Sequence, residues 1–274
     1  MPLAPIEIAR LEEARQALGV ADAAGCAEPV AGGWMCYGGE GSWANQACGL
    51  GMDGPVSDDD LDRLVHFYRS RAVEPRVELC PFADKSLISG LAERGFVVRE
   101  FETVMARTVS AADDLRALLP RGWPDGLEIE RLDPADDDAV RAYLEFGIRG
   151  FIGPEAPIPD SWIDGGLRVA RHQRCDSFIG RIGGQTVGCG GMESAGRIAC
   201  LFGATTHTDF RRRGVQQAMI VARIQRARQR GCDVVAIHSR PGIPTERNAM
   251  RLGFAVAYTK AIVVMPGEGL ARSV

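Results

Sequence analysis

A short segment near residue 210 limits the folds open to this chain more than any other part of its sequence. An apolar, strand-like run, 200–206, leads through a short loop into three consecutive arginines and Gly214, after which apolar residues recur at helical spacing. Arginines at a helix start are unfavourable, because cations there oppose the helix dipole. They become favourable when an anion lies between them, so the segment predicts a strand, an anion-binding turn and a helix.

The predicted anion is a pyrophosphate. A helix start leaves about four backbone N–H groups without partners and carries about half a positive charge. Gly214 lets the backbone approach the phosphates because it has no Cβ. Apolar residues then mark the buried face of the helix, and we expect the later arginines to form a solvated face: Arg223, Arg226, Arg228 and Arg230.

The composition is that of a soluble globular protein. The 274 residues exceed the usual size of one domain, which favours two. A formal net charge of −4 predicts neither a nucleic acid nor a membrane as partner, since both call for a basic surface. Charged residues interrupt the N-terminal stretch, so we expect no signal peptide and a cytoplasmic location.

The eight cysteines are scattered, and none forms a C-x-x-C pair, so we expect reduced core residues. The four histidines are not spaced to complete a zinc site, and we predict no metal. Motifs of hydrolases, P-loop kinases and zinc proteases are also absent from the sequence.

Hydrophobic periodicity and turn residues predict alternating helices and strands in both halves. In the first half we predict helices over 4–18, 57–71 and 84–94 and strands over 29–38, 44–52, 76–81 and 96–107. In the second half we predict helices over 134–146, 159–172, 213–230 and 246–252 and strands over 127–132, 176–182, 185–192, 197–206, 233–238, 254–259 and 261–265. Prolines and glycines make 118–126 the predicted linker between domains 1–117 and 127–274.

The two halves share a repeated pattern. A helix that ends at Gly95 and leads into Phe96 and a strand is matched by a helix that ends at Gly253 and leads into Phe254. We favour a tandem duplication, with chance similarity as the alternative because glycine commonly ends helices. In the first half, the acidic segment 52–60 replaces the arginine-rich turn and would repel a phosphate, so we predict a degenerate first domain without a cofactor site.

The second half resembles the GCN5-related N-acetyltransferase (GNAT) family over residues 127–265. In that family a Gln/Arg-x-x-Gly-x-Gly/Ala turn binds the coenzyme A pyrophosphate, and Arg211, Gly214 and Gln216 match it. Gln216 departs from the usual Gly or Ala. A family asparagine after the fifth strand is matched by Asn248. The resemblance implies an α/β fold with a mixed sheet and two similar GNAT domains in tandem.

The resemblance also implies acetyl-CoA (coenzyme A) as co-substrate, lying in a V-shaped gap between the fourth and fifth strands of the domain. One backbone N–H within 202–206 would polarise the thioester carbonyl. No metal is implied. The implied coenzyme-binding residues are Ala204, Thr205, Thr206, Arg211, Arg212, Arg213, Gly214, Val215, Gln216, Gln217, Asn248 and Arg251.

Many family members place a tyrosine just before the Gly-Phe pair, where this chain has Ala249 and Met250. Tyr258 is the substitute candidate for protonating the leaving thiolate, with a core or interface residue as the alternative. His238, at the end of the predicted fifth strand, is the candidate base because an imidazole titrates near neutrality. A structural histidine is the alternative there, and a water chain could replace either residue.

The resemblance implies an N-acetyltransferase that moves an acetyl group to the amine of a small molecule or peptide by direct attack in a ternary complex. The missing tyrosine leaves a second hypothesis, a non-catalytic acyl-CoA-binding or sensor protein. A nucleic-acid-binding or structural role would not explain the three arginines. The resemblance also implies that the apolar loop 150–165, with Phe151 and Trp162, forms part of the acceptor pocket. Assembly as a homodimer stays open.

Overall fold

Residues 3–272, which the computed structural model describes, form eleven strands and seven α-helices. The first half contains α1 (Pro5–Ala23), β1 (Cys26–Val30), β2 (Gly33–Tyr37), β3 (Gln46–Cys48), α2 (Asp58–Arg69), β4 (Arg76–Leu79), α3 (Lys85–Glu93) and β5 (Val97–Thr108). The second half contains β6 (Leu127–Arg131), α4 (Asp137–Ile152), α5 (Asp160–Arg171), β7 (Cys175–Ile182), β8 (Gln185–Ala195), β9 (Ile198–Thr206), α6 (Val215–Gln229), β10 (Val234–Ser239), α7 (Pro244–Arg251) and β11 (Ala255–Val264).

Most predicted elements are present, and the main differences lie in turns and long strands. Ser57 caps α2 by accepting a hydrogen bond from a backbone N–H of the first turn, as its sequence indicates. The predicted strand 29–38 is wrong as one element, because Ala31 and Gly32 adopt positive φ angles and turn the chain between β1 and β2. The two strands predicted at the end of the chain are one continuous strand, β11.

The strands form a single mixed sheet of order β1-β2-β3-β4-β11-β5-β10-β9-β8-β7-β6. The order is symmetric about the central pair of β5 and β11. On one side β4 pairs with β11 in antiparallel orientation, and on the other side β10 pairs with β5 in the same way. β3 then pairs in parallel with β4, and β9 pairs in parallel with β10. The two halves therefore repeat one topology, although within residues 3–272 the edge strand β6 has no counterpart in the first half.

The two halves exchange their last strands. β11, from the second half, pairs with β4 of the first, and β5, from the first half, pairs with β10 of the second. β5 and β11 also pair with each other over most of their lengths. Each half thus completes the sheet of the other.

Helices cover both faces of this sheet. On β10, Val235 and Ile237 pack with α6, whereas Val234 and Ala236 pack towards α1 on the opposite face. α2 and α3 share a core with β2, β3 and β4, and α4 and α5 share one with β7 and β8. None of the helices within residues 3–272 is long and apolar enough to cross a membrane.

The predicted linker 118–126 packs against the second half. Leu119 is buried in the core that α6 also lines, and the Trp123 indole N–H donates to the Leu127 carbonyl over 2.8 Å. The segment carries the chain from β5 at the centre of the sheet to β6 at its edge. The domain boundaries on either side of it stay a prediction.

Cutting the chain after residue 117 tests the strand exchange. A fragment of residues 118–274 lacks β5, so β10 and β11 each lose a partner that they have in the full chain. We expect this fragment to lose cooperative thermal unfolding, followed by circular dichroism, and co-expression of both fragments to restore it. A sharp melting transition of the isolated fragment would show that it folds without the exchange.

Candidate functional site

A gap opens between β9 and β10 at their carboxyl ends. The two strands pair in parallel only as far as Leu201 and Ile237 and then part, although β9 continues to Thr206. Phe202 and His238 are the first residues beyond the pairing. The opening lies where the GNAT resemblance places acetyl-CoA.

A bulge in β9 borders this gap. Gly191 of β8 pairs with Phe202, and the next pair is Cys189 with Thr205, so β9 contains one extra residue. Gly203 lies in the bulge with a φ of 59°, in the left-handed region that favours glycine. The interrupted ladder leaves backbone groups of β9 free to bind something other than β8.

The arginine-rich turn ends at an uncapped helix start. Gly214 is the N-cap of α6, with a φ of 84° and no side-chain cap. The Ala218 N–H donates to the Gly214 carbonyl, so the N–H groups of 215–217 precede the first hydrogen bond of the helix. Arg212 also has a positive φ, 63°, which is strained for a residue other than glycine.

Three exposed arginines surround this helix start. The Arg213 guanidinium lies over the Phe210 ring, 5.0 Å from its centroid. Arg211 Nε donates to the Thr206 carbonyl over 3.4 Å. Exposed cations beside free backbone N–H groups are the chemistry that a pyrophosphate requires.

Gln216, the departure from the family motif, links α6 to α7. Its side-chain N–H donates to Thr245 Oγ1 over 3.1 Å, and its oxygen accepts from Asn248 Nδ2 over 2.6 Å. Asn248 Oδ1 also accepts from Gln217 at 3.4 Å and from Arg251 at 3.2 Å. Four predicted coenzyme-binding residues therefore meet, and Thr245 joins them as one that sequence reasoning missed, because a lone threonine carries no motif signal.

The predicted residues of β9 lie between the bulge and the turn. Thr205 Oγ1 donates to the Gly147 carbonyl of α4 over 3.0 Å, which fixes the strand against that helix. Ala204 and Thr206 are half-buried. Val215, just beyond the turn, is buried in the core and can offer only its backbone N–H to a ligand.

His238 lies at the gap but is held between two carboxylates. Its Nε2 is 2.8 Å from Glu12 Oε1, an ion pair outside hydrogen-bond geometry, and its Nδ1 is 3.2 Å from Glu102 Oε2. Burial alone would lower the pKa of His238, but the two carboxylates outweigh it and raise the pKa to about 9. An imidazole that is protonated at neutral pH suits the structural alternative better than the role of a general base.

Tyr258, the candidate acid, is buried. Its hydroxyl donates to Glu13 Oε1 over 2.7 Å. Burial, reinforced by Glu13, raises the pKa of Tyr258 far above its usual range, so this phenol releases its proton with difficulty. Both candidates are thus tied to α1, a helix of the first half, by buried glutamates that carry no recognisable motif.

One cluster of side chains has the geometry of a metal site, although the sequence predicted no metal. Glu12, Cys200 and His238, which are far apart in sequence, place their ligand atoms within 4.8 Å of one another, and zinc accepts such a set. However, Arg15 binds both Glu12 oxygens, at 2.5 and 2.9 Å. Burial also raises the pKa of the Cys200 thiol well above its usual range. The cluster is therefore part of an ion-pair network.

The prediction of a solvated face for the later arginines of α6 is wrong. Arg223 is 1% exposed. Arg226 and Arg230 bind the buried carboxylate of Asp176, at 3.1 and 2.5 Å. Arg228 donates to two backbone carbonyls of the segment after β5. Helical spacing places these residues off the apolar face, but tertiary contacts cover that side of the helix as well.

The first half contacts the predicted acceptor loop. The Trp162 indole N–H donates to the Gly41 carbonyl over 2.9 Å, and Ser161 Oγ donates to the Glu40 carbonyl over 3.1 Å. The turn between β2 and β3 therefore rests on the start of α5. The loop predicted over 150–165 is wrong at both ends, because Phe151 lies in the last turn of α4 and Trp162 lies in α5. Phe151 is 63% exposed.

Comparison of the sequence with protein-family models and with curated proteins gives no match. A GCN5-related N-acetyltransferase from Kribbella flavida aligns in structure with a TM-score of 0.68 at 16% identity, over 98% of this chain and 99% of that chain. A GCN5-related N-acetyltransferase from Sphaerobacter thermophilus aligns with a TM-score of 0.53 at 16% identity, over 74% of this chain and 64% of that chain. A tandem GNAT protein from the clavulanic acid biosynthesis pathway aligns with a TM-score of 0.55 at 14% identity, over 73% of this chain and 67% of that chain. The chain therefore has the GNAT fold, as the sequence motifs predict.

The raised pKa of His238 predicts a stability that depends on pH. A pKa of about 9 in the folded chain, against the ordinary value of 6.5, stabilises the fold below pH 6.5, and this contribution is lost as the pH rises through 9. The shift corresponds to about 3 kcal/mol. In urea unfolding across this pH range, we expect the wild type to lose more stability than the His238→Gln variant.

The control for this measurement is His66→Gln, which changes an exposed histidine on α2. It should keep the pH dependence of the wild type. If His238→Gln kept it too, the ion pairs of His238 would not be the source of the effect.

Proposed function

We propose that this chain is an N-acetyltransferase that moves an acetyl group from acetyl-CoA to the amine of a small molecule or peptide. The observation that carries the proposal is an uncapped, arginine-rich helix start that directly follows the strand bordering the gap. The GNAT fold of the chain supports it. The acceptor amine attacks directly in a ternary complex, without a covalent enzyme intermediate.

In this proposal the coenzyme is held first by its phosphates. The N–H groups of 215–217 and the side chains of Arg211 and Arg213 bind the pyrophosphate. The hydrogen bond between Asn248 and Gln216 fixes α7 beside this site. Backbone N–H groups at the bulge of β9 bind the pantetheine arm and polarise the thioester carbonyl.

In this proposal the transfer requires no side chain as general acid or general base. The amine nitrogen forms a bond to the thioester carbon, and the carbon–sulfur bond breaks. The proton of the amine leaves through water, because His238 already carries a proton at neutral pH. The coenzyme thiolate takes a proton from solvent after it departs.

We further propose that the first half binds no coenzyme. Three aspartates, 58–60, occupy the first turn of α2, and Ser57 already caps that helix start. The Val56 N–H, just before it, donates to Ser86 Oγ over 2.8 Å. Carboxylates at this position would repel a pyrophosphate. The first half instead supplies α1 and β5 to the surroundings of the gap, and its β2–β3 turn contacts the start of α5.

An acyl-CoA-binding protein without transferase activity is the second candidate. It is favoured by the ties of His238 and Tyr258 to buried carboxylates, which leave neither residue suited to proton transfer. Assays of acetyl transfer to a panel of amines separate the two candidates. Tight coenzyme binding with no transfer to any amine would favour the second.

Titration calorimetry with acetyl-CoA tests the phosphate site. Arg211→Glu and Gly214→Glu each place a carboxylate at the helix start, and we expect the affinity to fall about tenfold or more, because charge-assisted hydrogen bonds are replaced by repulsion. Arg141→Glu makes the same charge change as Arg211→Glu on an exposed position of α4 and should bind like the wild type. Wild-type affinity of a folded Arg211→Glu variant would rule out this site.

The same calorimetry measures the stoichiometry. We expect one acetyl-CoA per chain, because only the second half has the arginine-rich helix start. Two equivalents bound per chain, with similar affinities, would show that the acidic start of α2 does not exclude the coenzyme.

A further inference from the structure

Arg223 is a cation buried beneath the bulge of β9. Its side chain lies on the inner face of α6 and is 1% exposed. Within residues 3–272 no carboxylate pairs with it, in contrast to Arg226 on the same helix and Arg230 just after it. Burial lowers the pKa of Arg223 to about 10, which still leaves the guanidinium charged at neutral pH. Burying a charge without a counter-ion is costly, so the presence of this arginine points to a functional role.

The guanidinium hydrogen-bonds backbone carbonyls on both strands that meet at the bulge. Nη1 donates to the Gly191 carbonyl of β8 over 3.0 Å and to the Phe202 carbonyl of β9 over 3.2 Å. Nε donates to the Met219 carbonyl of α6 over 3.0 Å. Gly191 and Phe202 form the pair at which the register shifts. A bulge interrupts the ladder, and Arg223 supplies donors at this interruption.

Two glycines of β8 make room for this arrangement. A Cβ added at Gly190 would lie 2.8 Å from Nη1 of Arg223. A Cβ added at Gly191 would lie 2.5 Å from the Phe202 ring. The two glycines, Arg223 and Phe202 are therefore fitted to one another.

We infer that Arg223 is a positioning residue of the acyl site, an inference that rests on the proposed function. It fixes the bulge so that backbone N–H groups of 203 and 204 bind the pantetheine arm and the thioester of the coenzyme, and it places a positive charge behind them. That charge favours the oxyanion of the transition state and the departing thiolate. The chain has use for such a charge because Ala249 and Met250 stand where related enzymes carry a tyrosine acid.

The test compares two ligands in calorimetry. One is acetyl-CoA, and the other is 3′-phosphoadenosine 5′-diphosphate, which has the nucleotide and the pyrophosphate but lacks the pantetheine arm and the acetyl group. In Arg223→Met and Arg223→Lys we expect acetyl-CoA affinity to fall about tenfold, while the affinity of the shorter ligand stays at the wild-type value. Arg226→Met, on the same helix, is the control and should leave both affinities unchanged. If Arg223→Met fails to fold, Arg223→Lys decides, since lysine keeps the charge but not the planar fork.

The pKa of the bound coenzyme A thiol, followed by thiolate absorbance, gives a second readout that a merely structural residue would not move. We expect it to lie below the pKa of free coenzyme A in the wild type and in Arg223→Lys, and to return to the free value in Arg223→Met. Unchanged acetyl-CoA affinity in the folded variants, or an equal loss for both ligands, would overturn the inference. A wild type that binds neither ligand would instead refute the proposed function.

Discussion

The antiparallel pair of β5 and β11 holds the two halves together, and the geometry of the candidate site depends on it. Each strand comes from one half and borders the sheet of the other, so neither half closes its sheet alone. β10 can part from β9 at Leu201 and still keep its place because β5 pairs with its other edge up to Ser239. The gap in the second half is thus shaped by a strand of the first half.

The ion pairs beside this central pair follow the internal repeat with their charges reversed. On one side His238 of β10 binds Glu102 of β5, and on the other Glu78 of β4 binds Lys260 of β11. Consecutive glutamates of α1 complete the two pairs. Burial alone would lower the pKa of Lys260, but the carboxylates raise it well above its usual range. Charges that are buried to this extent tolerate the loss of a partner poorly, and they fix α1 in register with both halves.

Local patterns were enough to predict the helices, most strands and the arginine-rich turn, because periodicity and caps are written in neighbouring residues. The resemblance to the GNAT family, and not a local pattern, implied that Gln216 and Asn248 belong to one site, and these side chains do meet. The strand exchange could not be predicted, since the sequence of a strand does not specify which other strand it pairs with. The burial of Arg223 and the ion pairs of His238 with α1 depend on residues that are far away in sequence. Local sequence patterns contain no information on such contacts.

The connection 118–126 has a consequence for how this chain can vary. Since β5 lies at the centre of the sheet and β6 at its edge, the chain must cross between them, and its path runs beside the arginine-rich turn. Arg121 Nη1 donates to the Arg212 carbonyl over 3.0 Å. Pro124 lies so that a Cβ added at Gly214 would be 3.5 Å from its Cγ. The connection therefore supports the strained turn, and these contacts constrain its length and sequence in a way that does not apply to an ordinary interdomain spacer.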